Sequence, residues 1–349
     1  MHFLITGHTG FKGSWLTMLL THYGHVVSGV ALDPEPISLF RLADVDELLV
    51  KDIRADIRDQ QTMASALELT QPDVLVHMAA QPLVRESYRS PRLTIETNVL
   101  GTLNVLEAAQ HASTLKAHLV VTTDKVYRNV NRETGYGEDE PLGGDDPYSA
   151  SKAMADLLTQ SWATSFAGPR TAIARAGNVI GGGDFGHERL FPDLVEALRS
   201  GRKIQLRHPS AVRPWQHVLD CLSGYLFIVQ AMLDETTAQQ SGDAWNIGPE
   251  QDSLRTVGEI AELVASEWQT PLNHDIYSTS EMQEAELLML DASRANELLG
   301  WRNRISFEEA IRRTCDWYQE VERGRSPRSV TMEQIKDFTR EGPGFLDGL

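Results

Sequence analysis

Three glycines at three-residue spacing lie near the start of the chain, in the segment TGHTGFKG. They follow directly on the apolar run at residues 2–6, which is typical of a buried strand, and they precede a segment with helical spacing of apolar residues. In that context the first glycine allows a tight turn, the second lets backbone approach a pyrophosphate, and the third permits close packing of helix on strand. Gly7, Gly10 and Gly13 therefore predict a dinucleotide-binding turn.

The first half of the chain alternates short apolar runs with longer helical patterns. The runs are rich in β-branched residues and lie at residues 2–6, 25–31, 49–53, 74–78, 118–122 and 170–174. Runs of this kind are typical of strands buried on both faces of a parallel sheet, with crossover helices between them. Residues 91–111 and 148–166 are predicted to form long helices. The predicted fold is a Rossmann-type, doubly wound α/β sheet.

The pattern changes after residue 174, where RAGNVIGGGDFGHERLFP is rich in glycine and predicts loops leading into a smaller α+β domain. Helices are predicted at residues 188–200, 219–233, 254–268 and 307–323, and short strands at IQLRHP and AWNIGP. We expect residues 1–178 to form the dinucleotide domain, with about 219–248 returning to it, and 179–349 to form mainly the second domain. The tail from Gly324 is charged and is predicted to be surface structure or partial disorder.

The composition excludes several classes of protein. A net charge of −17 argues against nucleic acid or a membrane surface as a partner. The two cysteines, Cys221 and Cys315, are too far apart for a CxxC metal site or a disulfide framework, so we expect buried thiols and no metal. No signal-peptide pattern precedes the first strand, and no apolar run reaches the roughly 18 to 20 residues that span a bilayer. A cytoplasmic location is expected.

An acidic residue after the second predicted strand favours NAD over NADP. Asp33 lies 20 residues past Gly13, where a carboxylate would bind the adenosine ribose hydroxyls and repel a 2′-phosphate. Lys12 would favour NADP if it paired with that phosphate; the alternative is a solvated lysine at the helix start. Asp56 and Ile57 follow the third strand and are predicted to contact adenine, a surface turn being the alternative.

Further cofactor contacts are predicted in the glycine turn and after the fourth and fifth strands. They are Thr9, Phe11, Ala79, Ala80, Gln81 and Thr122. The small alanine side chains would let the chain pass close to a cofactor, although close packing alone explains them nearly as well.

Tyr148 and Lys152 lie four residues apart on one predicted helix, so their side chains share a face. Tyrosine with its free pKa of about 10 is a poor base at neutral pH, but a nearby ammonium would stabilise the phenolate and lower that pKa. The pair would then accept an alcohol proton while hydride leaves the same carbon. A surface tyrosine beside a solvated lysine is the alternative. The segment TTDK at 122–125, at the carboxyl end of the fifth strand, favours catalysis.

Eight motifs spread over nearly the whole chain carry a resemblance: GHTGFKGSWL, ADIRD, HMAAQPLVRESY, TNVLGT, TTDKVY, DPYSASK, RAGNVIGGGD and RPWQHV. Together they resemble the CDP-glucose 4,6-dehydratases, a branch of the extended short-chain dehydrogenase/reductase superfamily. Related dTDP-glucose dehydratases carry Asp-Glu where this chain has Asp124-Lys125, which favours the CDP-sugar branch.

The resemblance implies a redox-neutral lyase reaction on a nucleotide-diphosphate hexose. C4 of the hexose is oxidised by bound NAD, water is lost across C5 and C6, and the same hydride returns to C6. By motif, Tyr148 is the base at the C4 hydroxyl, Lys152 lowers its pKa and holds the nicotinamide ribose, and Thr123 bonds to the C4 oxygen. Asp124 protonates the leaving 6-hydroxyl, and Lys125 occupies the place of the C5 base.

The resemblance also implies contacts to the substrate's nucleotide and diphosphate. The residues concerned are Gln81, Arg85, Asn178, Arg207, Arg213 and His217. Arginine suits this role because its planar fork binds phosphate oxygens in pairs, although a surface ion pair is the alternative for Arg207. The two long helices imply, again by resemblance, a homodimer.

One loop departs from the family pattern. In NRETGYGEDEPLGG, from Asn131, Thr134 replaces a tryptophan, a second tryptophan is missing, and Gly137 stands where arginine is common. Altered substrate preference would be a consequence.

The alternative enzyme functions are a nucleotide-sugar 4-epimerase and a dehydratase for another hexose nucleotide. An epimerase has no need of an acid at O6, so Asp124-Lys125 favours the dehydratase. A non-catalytic NAD sensor is a further alternative, against which the presence of both Tyr148 and Lys152 argues.

Overall fold

The computed structural model describes residues 1–186, 188–206, 209–234, 236, 240–250, 253–271, 274–276 and 287–340. Its strands are β1 (His2–Thr6), β2 (Val26–Ala31), β3 (Lys51–Arg54), β4 (Val74–His77), β5 (Ala117–Val121), β6 (Arg170–Ala176), β7 (Asn178–Ile180), β8 (Ile204–Leu206), β9 (Val212–His217), β10 (Ala244–Ile247), β11 (Leu254–Thr256) and β12 (His274–Ile276). Seven of these form a parallel sheet in the order β10-β6-β5-β4-β1-β2-β3. The order reverses between β1 and β4, as in a doubly wound fold, so the predicted fold class is confirmed.

The helices are α1 (Phe11–His22), α2 (Leu39–Leu42), α3 (Gln60–Thr70), α4 (Val84–Arg89), α5 (Pro91–Ile95), α6 (Gly101–Gln110), α7 (Pro147–Ser165), α8 (Leu190–Ser200), α9 (Val218–Leu233), α10 (Val257–Glu267), α11 (Phe307–Glu322) and α12 (Pro327–Arg340). A π-helical turn, Glu96–Leu100, joins α5 to α6. The predicted long helix at 91–111 is therefore continuous, with one turn that is wider than an α-helical turn. Pro147 in the first turn and the Asp146 cap, whose side chain accepts from the Ser149 N–H, start α7.

Apolar side chains cover both faces of the sheet. On one face Leu16 of α1 and Leu222 of α9 belong to the larger core cluster, and on the other Met63 of α3 and Val105 of α6 belong to a second cluster. All four are fully buried, and each such side chain contributes about 1.5–3 kcal/mol relative to exposure. The helices therefore hold the carboxyl ends of the strands in fixed positions.

Five of the described strands after β6 form two smaller sheets, with strand orders β11-β9-β7 and β12-β8, while β10 joins the main sheet. In the first, Asn178 of β7 lies beside Trp215 of β9. These strands supply the wall that faces the ends of the main sheet. Cys221 and Cys315 are both buried and unpaired, as predicted.

The prediction for the tail is wrong for residues 327–340, which form helix α12. Val330, Ile335 and Phe338 are buried, because the few apolar residues of this charged segment fall on one side and pack into the main core. Residues 341–349 lie outside the described part. Across the described residues, no helix has the length and apolar character needed to cross a membrane.

Candidate active site

A cleft of about 1100 Å³ lies between the carboxyl ends of β1, β4 and β5 and the smaller sheets. The structure brings most of the predicted site residues to its surface: Gly7, Thr9, Gly10, Phe11, Lys12, Gly13, Asp56, Ile57, Ala79, Ala80, Gln81, Arg85, Thr122, Thr123, Asp124, Lys125, Tyr148, Asn178 and Arg213. Asp33, Lys152 and His217 are placed outside this lining, and Arg207 lies outside the described residues.

The glycine turn fits the close backbone approach that a dinucleotide requires. Gly7 has φ of 78°, and a Cβ there would lie 2.8 Å from the Ala79 nitrogen. A Cβ on Gly13 would lie 2.3 Å from the Gly7 oxygen, so only glycine lets α1 start this close to β1. Gly10 caps α1 without a side-chain hydrogen bond. The N–H groups of the first turn are thus available to a pyrophosphate.

The adenosine end of the cleft differs in detail from the prediction. The Asp33 side chain is 85% exposed at the rim, 3.9 Å from Nε of Arg54. Asp56 is bonded by the Arg58 guanidinium at 2.6 Å, and this hydrogen bond lowers the Asp56 pKa. Ile57 is buried and packs in the second core cluster. Asp33 therefore stands beside a cation, and the oxygens of Asp56 already have a partner.

Neither alternative predicted for Lys12 describes its position. Its ammonium points inward and donates to the hydroxyl of Tyr225 at 3.0 Å. Burial lowers the Lys12 pKa, and the nearby charges of Arg189 and Asp124 act on it in opposite directions. Because the Lys12 ammonium is bonded to the buried Tyr225, its position gives no support to NADP.

Tyr148 and Lys152 lie on one face of α7, as predicted, and both are buried. Burial raises the pKa of Tyr148 to about 12, partly offset by a hydrogen bond to Thr123 and by the charge of Arg189. Burial lowers the pKa of Lys152 to about 7, helped by the charge of Lys12. The pKa of Tyr148 is thus raised and not lowered as expected, because burial favours the neutral form of both groups.

The turn after β5 places an acid, Asp124, in the same cleft as Tyr148. Thr123 caps a short 3₁₀ turn, Asp124–Val126, and its hydroxyl donates to Oδ1 of Asp124 at 2.9 Å. Asp124 is buried, and a Cβ on Gly177 would lie only 3.0 Å from its Oδ2, so glycine leaves room for the carboxylate. Lys125 is half-buried and lines the cleft.

Sequence reasoning missed Arg189, which lies on the cleft wall just before α8. Its Nη1 contacts both oxygens of Asp184, at 2.9 and 3.0 Å. The attraction of Asp184 raises the Arg189 pKa, and Tyr148 adds to the effect. A cation therefore acts on Tyr148, and its only sequence signal was an arginine in the segment HERLFP.

Asn98 is a second missed residue, in the π-helical turn within TNVLGT. Its carboxamide accepts from the Gln81 N–H at 2.8 Å and donates to the Gln81 carbonyl at 3.0 Å and to Ser151 Oγ at 2.9 Å. Ser151 in turn donates to the Tyr148 carbonyl at 2.7 Å. Asn98 thus fixes the loop after β4 against the helix that carries Tyr148.

Two of the predicted substrate contacts have structural partners. The Gln81 amide donates to Thr94 Oγ1 at 2.8 Å and accepts from the Leu83 N–H at 2.6 Å, so it shapes its own loop. Arg85 lies 3.8 Å from a Glu188 oxygen on the far wall. Arg213 is buried and lines the cleft.

The prediction for His217 as a substrate contact is wrong. Its ring is fully buried outside the cleft lining, packs edge-on against Trp15, and accepts from the Leu219 N–H at 3.2 Å, so it caps α9. Burial lowers its pKa to about 3. The motif RPWQHV places His217 at the last residue of β9, where the chain turns away from the cleft into a helix.

Among the described residues, His, Cys, Asp and Glu side chains form no group of three or more that would hold a metal ion. The arrangement instead combines a dinucleotide turn, a tyrosine–lysine pair and an acid at a strand end. A doubly wound sheet with these features defines an extended short-chain dehydrogenase/reductase.

Comparison with known proteins identifies the family within this class. The chain belongs to the GDP-mannose 4,6 dehydratase family, whose match covers residues 4–314. It is 39% identical over 343 residues to a CDP-glucose 4,6-dehydratase of Salmonella typhimurium, covering 96% of this chain and 95% of the relative.

Solved structures agree with the fold. DesIV, a dTDP-glucose 4,6-dehydratase from Streptomyces venezuelae solved with NAD bound, has a TM-score of 0.80 at 26% identity, covering 94% of this chain and all of that one. A UDP-glucuronic acid 4-epimerase from Bacillus cereus also has a TM-score of 0.80, at 22% identity, covering 92% of this chain and all of that one. At that identity the second likeness concerns the fold alone.

Proposed function

We propose that the protein is an NAD-dependent CDP-glucose 4,6-dehydratase, a hydro-lyase that forms CDP-4-keto-6-deoxyglucose. The observation that carries this function is the buried Asp124, hydrogen-bonded to Thr123 and placed in the same cleft as Tyr148. Oxidation at C4 requires a hydride acceptor and, as its acid–base group, only the tyrosine, whereas elimination of the 6-hydroxyl requires an additional acid. The Salmonella relative, at 39% identity, supports CDP-glucose among the possible substrates.

The side chains of the cleft divide the reaction between them. NAD held in this cleft would supply the hydride acceptor for oxidation at C4 and the hydride for reduction at C6. Tyr148 takes the C4 hydroxyl proton, with Thr123 bonded to the same oxygen. Lys125 removes the C5 proton, which the C4 ketone acidifies, and Asp124 gives a proton to the departing 6-hydroxyl, which leaves as water. After hydride addition at C6, Lys125 returns its proton to C5. Lys152 holds the nicotinamide ribose.

The glycine turn, with the residues predicted around it, binds the dinucleotide. The first-turn N–H groups of α1 would hold the pyrophosphate, and Asp33 would bind the adenosine ribose from the rim. The backbone at Ala79 and Ala80 passes close to the cofactor. We assign residues 1–178, with 219–248, mainly to NAD and residues 179–349 mainly to the nucleotide sugar.

The diphosphate of the substrate carries negative charge, and the facing wall supplies cations for it. Arg213 and Asn178 line this wall, Arg85 lies across the cleft, and we add Arg189, which sequence reasoning missed. Guanidinium groups pair well with phosphate oxygens. Arg207 stays a prediction from the sequence.

A homodimer is proposed from the surfaces of the two long helices. Leu100 is 50% exposed in the π-helical turn, and Met154 and Leu157 of α7 are 39% and 52% exposed. Large apolar side chains exposed on adjacent helices are typical of an interaction surface. The product places the enzyme in deoxysugar biosynthesis, and its nucleotide-sugar substrate and NAD support a cytoplasmic location.

The test is incubation with NAD and, separately, CDP-, dTDP-, GDP- and UDP-glucose. We expect CDP-glucose alone to give the absorbance of a 4-keto-6-deoxy sugar, with loss of one water by mass spectrometry. A product of unchanged mass with inverted C4 would instead establish the epimerase. Formation of the same product from another nucleotide-linked glucose would support the dehydratase reaction but contradict CDP-glucose as the substrate.

A further inference from the structure

We propose that a buried ion pair, Asp156 with Arg175, positions the acid–base turn of the active site through hydrogen bonds at both ends of that turn. The proposal rests on the proposed function, because the turn carries Asp124 and Lys125. Neither Asp156 nor Arg175 lines the cleft, so both act through other residues.

The pair is fully enclosed and forms a two-pronged contact. The Asp156 side chain is 0% exposed and that of Arg175 is 1% exposed. Nε of Arg175 lies 2.9 Å from Oδ2 of Asp156, and Nη2 lies 2.8 Å from Oδ1. Such a fork fixes direction as well as distance. A buried pair adds little net stability over apolar residues of similar volume, so its geometry is the more informative property.

The Asp156 end holds the residue before the turn. Thr122, the first residue after β5, donates its hydroxyl proton to Oδ2 of Asp156 at 3.0 Å. Asp156 itself lies one helical turn beyond Lys152 on α7. The end of β5 and the helix of the catalytic pair are therefore fixed to one carboxylate.

The Arg175 end holds the residue after the turn. Nη1 of Arg175 donates to the Tyr127 hydroxyl at 2.8 Å, and that hydroxyl donates to Oδ1 of Asn246 at 2.7 Å. The same Nη1 donates to the Glu138 carbonyl at 2.8 Å, in the loop that departs from the family pattern. Tyr127 directly follows Asp124–Val126.

The two ends together define the position of the turn. Thr122 and Tyr127 bracket the acid–base turn, and each bonds to one member of the same buried pair. Movement of Asp124 relative to Tyr148 would break one of these bonds. Catalysis is sensitive to displacements of about 1 Å, so loosening either end should impair the elimination that depends on Asp124 and Lys125.

The test variant is Tyr127→Phe, which removes one hydroxyl and no charge. We expect kcat with CDP-glucose to fall about tenfold or more and the steady-state fraction of enzyme-bound NADH to rise. The reason is that oxidation at C4, with Tyr148 as the base and NAD as the hydride acceptor, continues while elimination slows. The matched control is Gln160→Leu, which removes a 2.7 Å hydrogen bond to Oδ1 of Asp156 without touching the turn. The control should keep the parent NADH fraction.

A second variant, Arg175→Lys, keeps the positive charge but loses the pair of hydrogen bonds that the guanidinium makes to Asp156. It should also raise the NADH fraction, and the double variant with Tyr127→Phe should be no worse than the more impaired single variant. A fall in kcat with an unchanged NADH fraction in Tyr127→Phe, or parent behaviour throughout, would overturn the proposal. If the parent enzyme itself gives neither NADH nor product from CDP-glucose, the proposed function fails instead.

Discussion

Nζ of Lys152 donates a hydrogen bond to the carbonyl oxygen of Val121 at 3.0 Å, so helix α7 is joined to the last residue of β5. The contact holds a buried amine beside the acid–base turn. Because its pKa is lowered to about 7, this amine changes charge near neutrality.

The stability of the cofactor-free protein should therefore depend on pH through Lys152. Its folded pKa of about 7 lies below the ordinary 10.5, so between these values the unfolded chain binds a proton that the folded one does not. The free energy of unfolding should rise with pH across this window, since the cost of burying the charge disappears. Urea unfolding at several pH values measures this free energy, which should rise less steeply with pH in Lys152→Met than in the parent protein. Parallel curves for the two proteins would contradict the assignment.

Removing the catalytic hydroxyl should leave the fold intact. Tyr148→Phe should lose at least about two orders of magnitude in turnover, the usual scale for a positioned acid–base group. Thermal melting and NAD affinity should stay close to the parent values, since the ring remains buried. Near-normal turnover would remove the tyrosine from the mechanism.

Replacing the acid should separate oxidation from elimination. Asp124→Asn should still allow hydride transfer from C4, which does not involve O6, so NADH absorbance should accumulate on the enzyme while product formation falls by about two orders of magnitude. Stopped-flow absorbance with CDP-glucose measures both. Product formation at the parent rate without NADH would show that another group is the acid and would favour the epimerase.

Cofactor selectivity should depend on Asp33 and the cation beside it. The parent should bind NAD more tightly than NADP. In Asp33→Asn the carboxylate charge is lost while Arg54 stays, so the ratio of the two dissociation constants should move toward NADP by about tenfold, equivalent to 1.4 kcal/mol. Titration calorimetry with both cofactors measures this ratio.

The control for Arg54 is the double variant Asp33→Asn with Arg54→Met, in which the gain for NADP should disappear. Tighter binding of NADP by the parent protein would show that a cation overrides Asp33.

The proposed dimer can be broken at one exposed side chain. Leu157→Arg should give a monomer by light scattering, because a charge would be buried without a partner in the interface. Leu298→Arg is the matched control, since Leu298 is 68% exposed and lies on neither long helix. A parent protein that is itself monomeric would refute the dimer.

The sequence predicted those parts of the site that local spacing determines. Tyr148 and Lys152 share a face because four residues make about one helical turn, and Asp124 reaches the cleft because it follows a parallel strand. The inward direction of Lys12 was not predictable, since it depends on Tyr225, more than two hundred positions away.

The errors have the same physical origin. His217 sits in a motif whose arginine does line the cleft, but the chain turns into α9 at that residue. Arg189 acts on Tyr148 from the position just before α8, which local spacing in the sequence does not determine. Helix α12 packs through three apolar residues that its many charges concealed in the sequence.

The π-helical turn between α5 and α6 determines which of its side chains point into the protein and which point out. Asn98, 1% exposed, points into the protein from this turn, while Leu100, 50% exposed, points out. A π-helical turn holds one residue more than an α-helical turn, so deleting one residue here would close it to a regular α-helix. Successive α-helical residues lie about 100° apart around the axis, so the remaining side chains of the turn would have to change direction, and the inward carboxamide of Asn98 or the outward side chain of Leu100 would be lost. Deletions and insertions between residues 91 and 110 are therefore constrained in a way that substitutions are not.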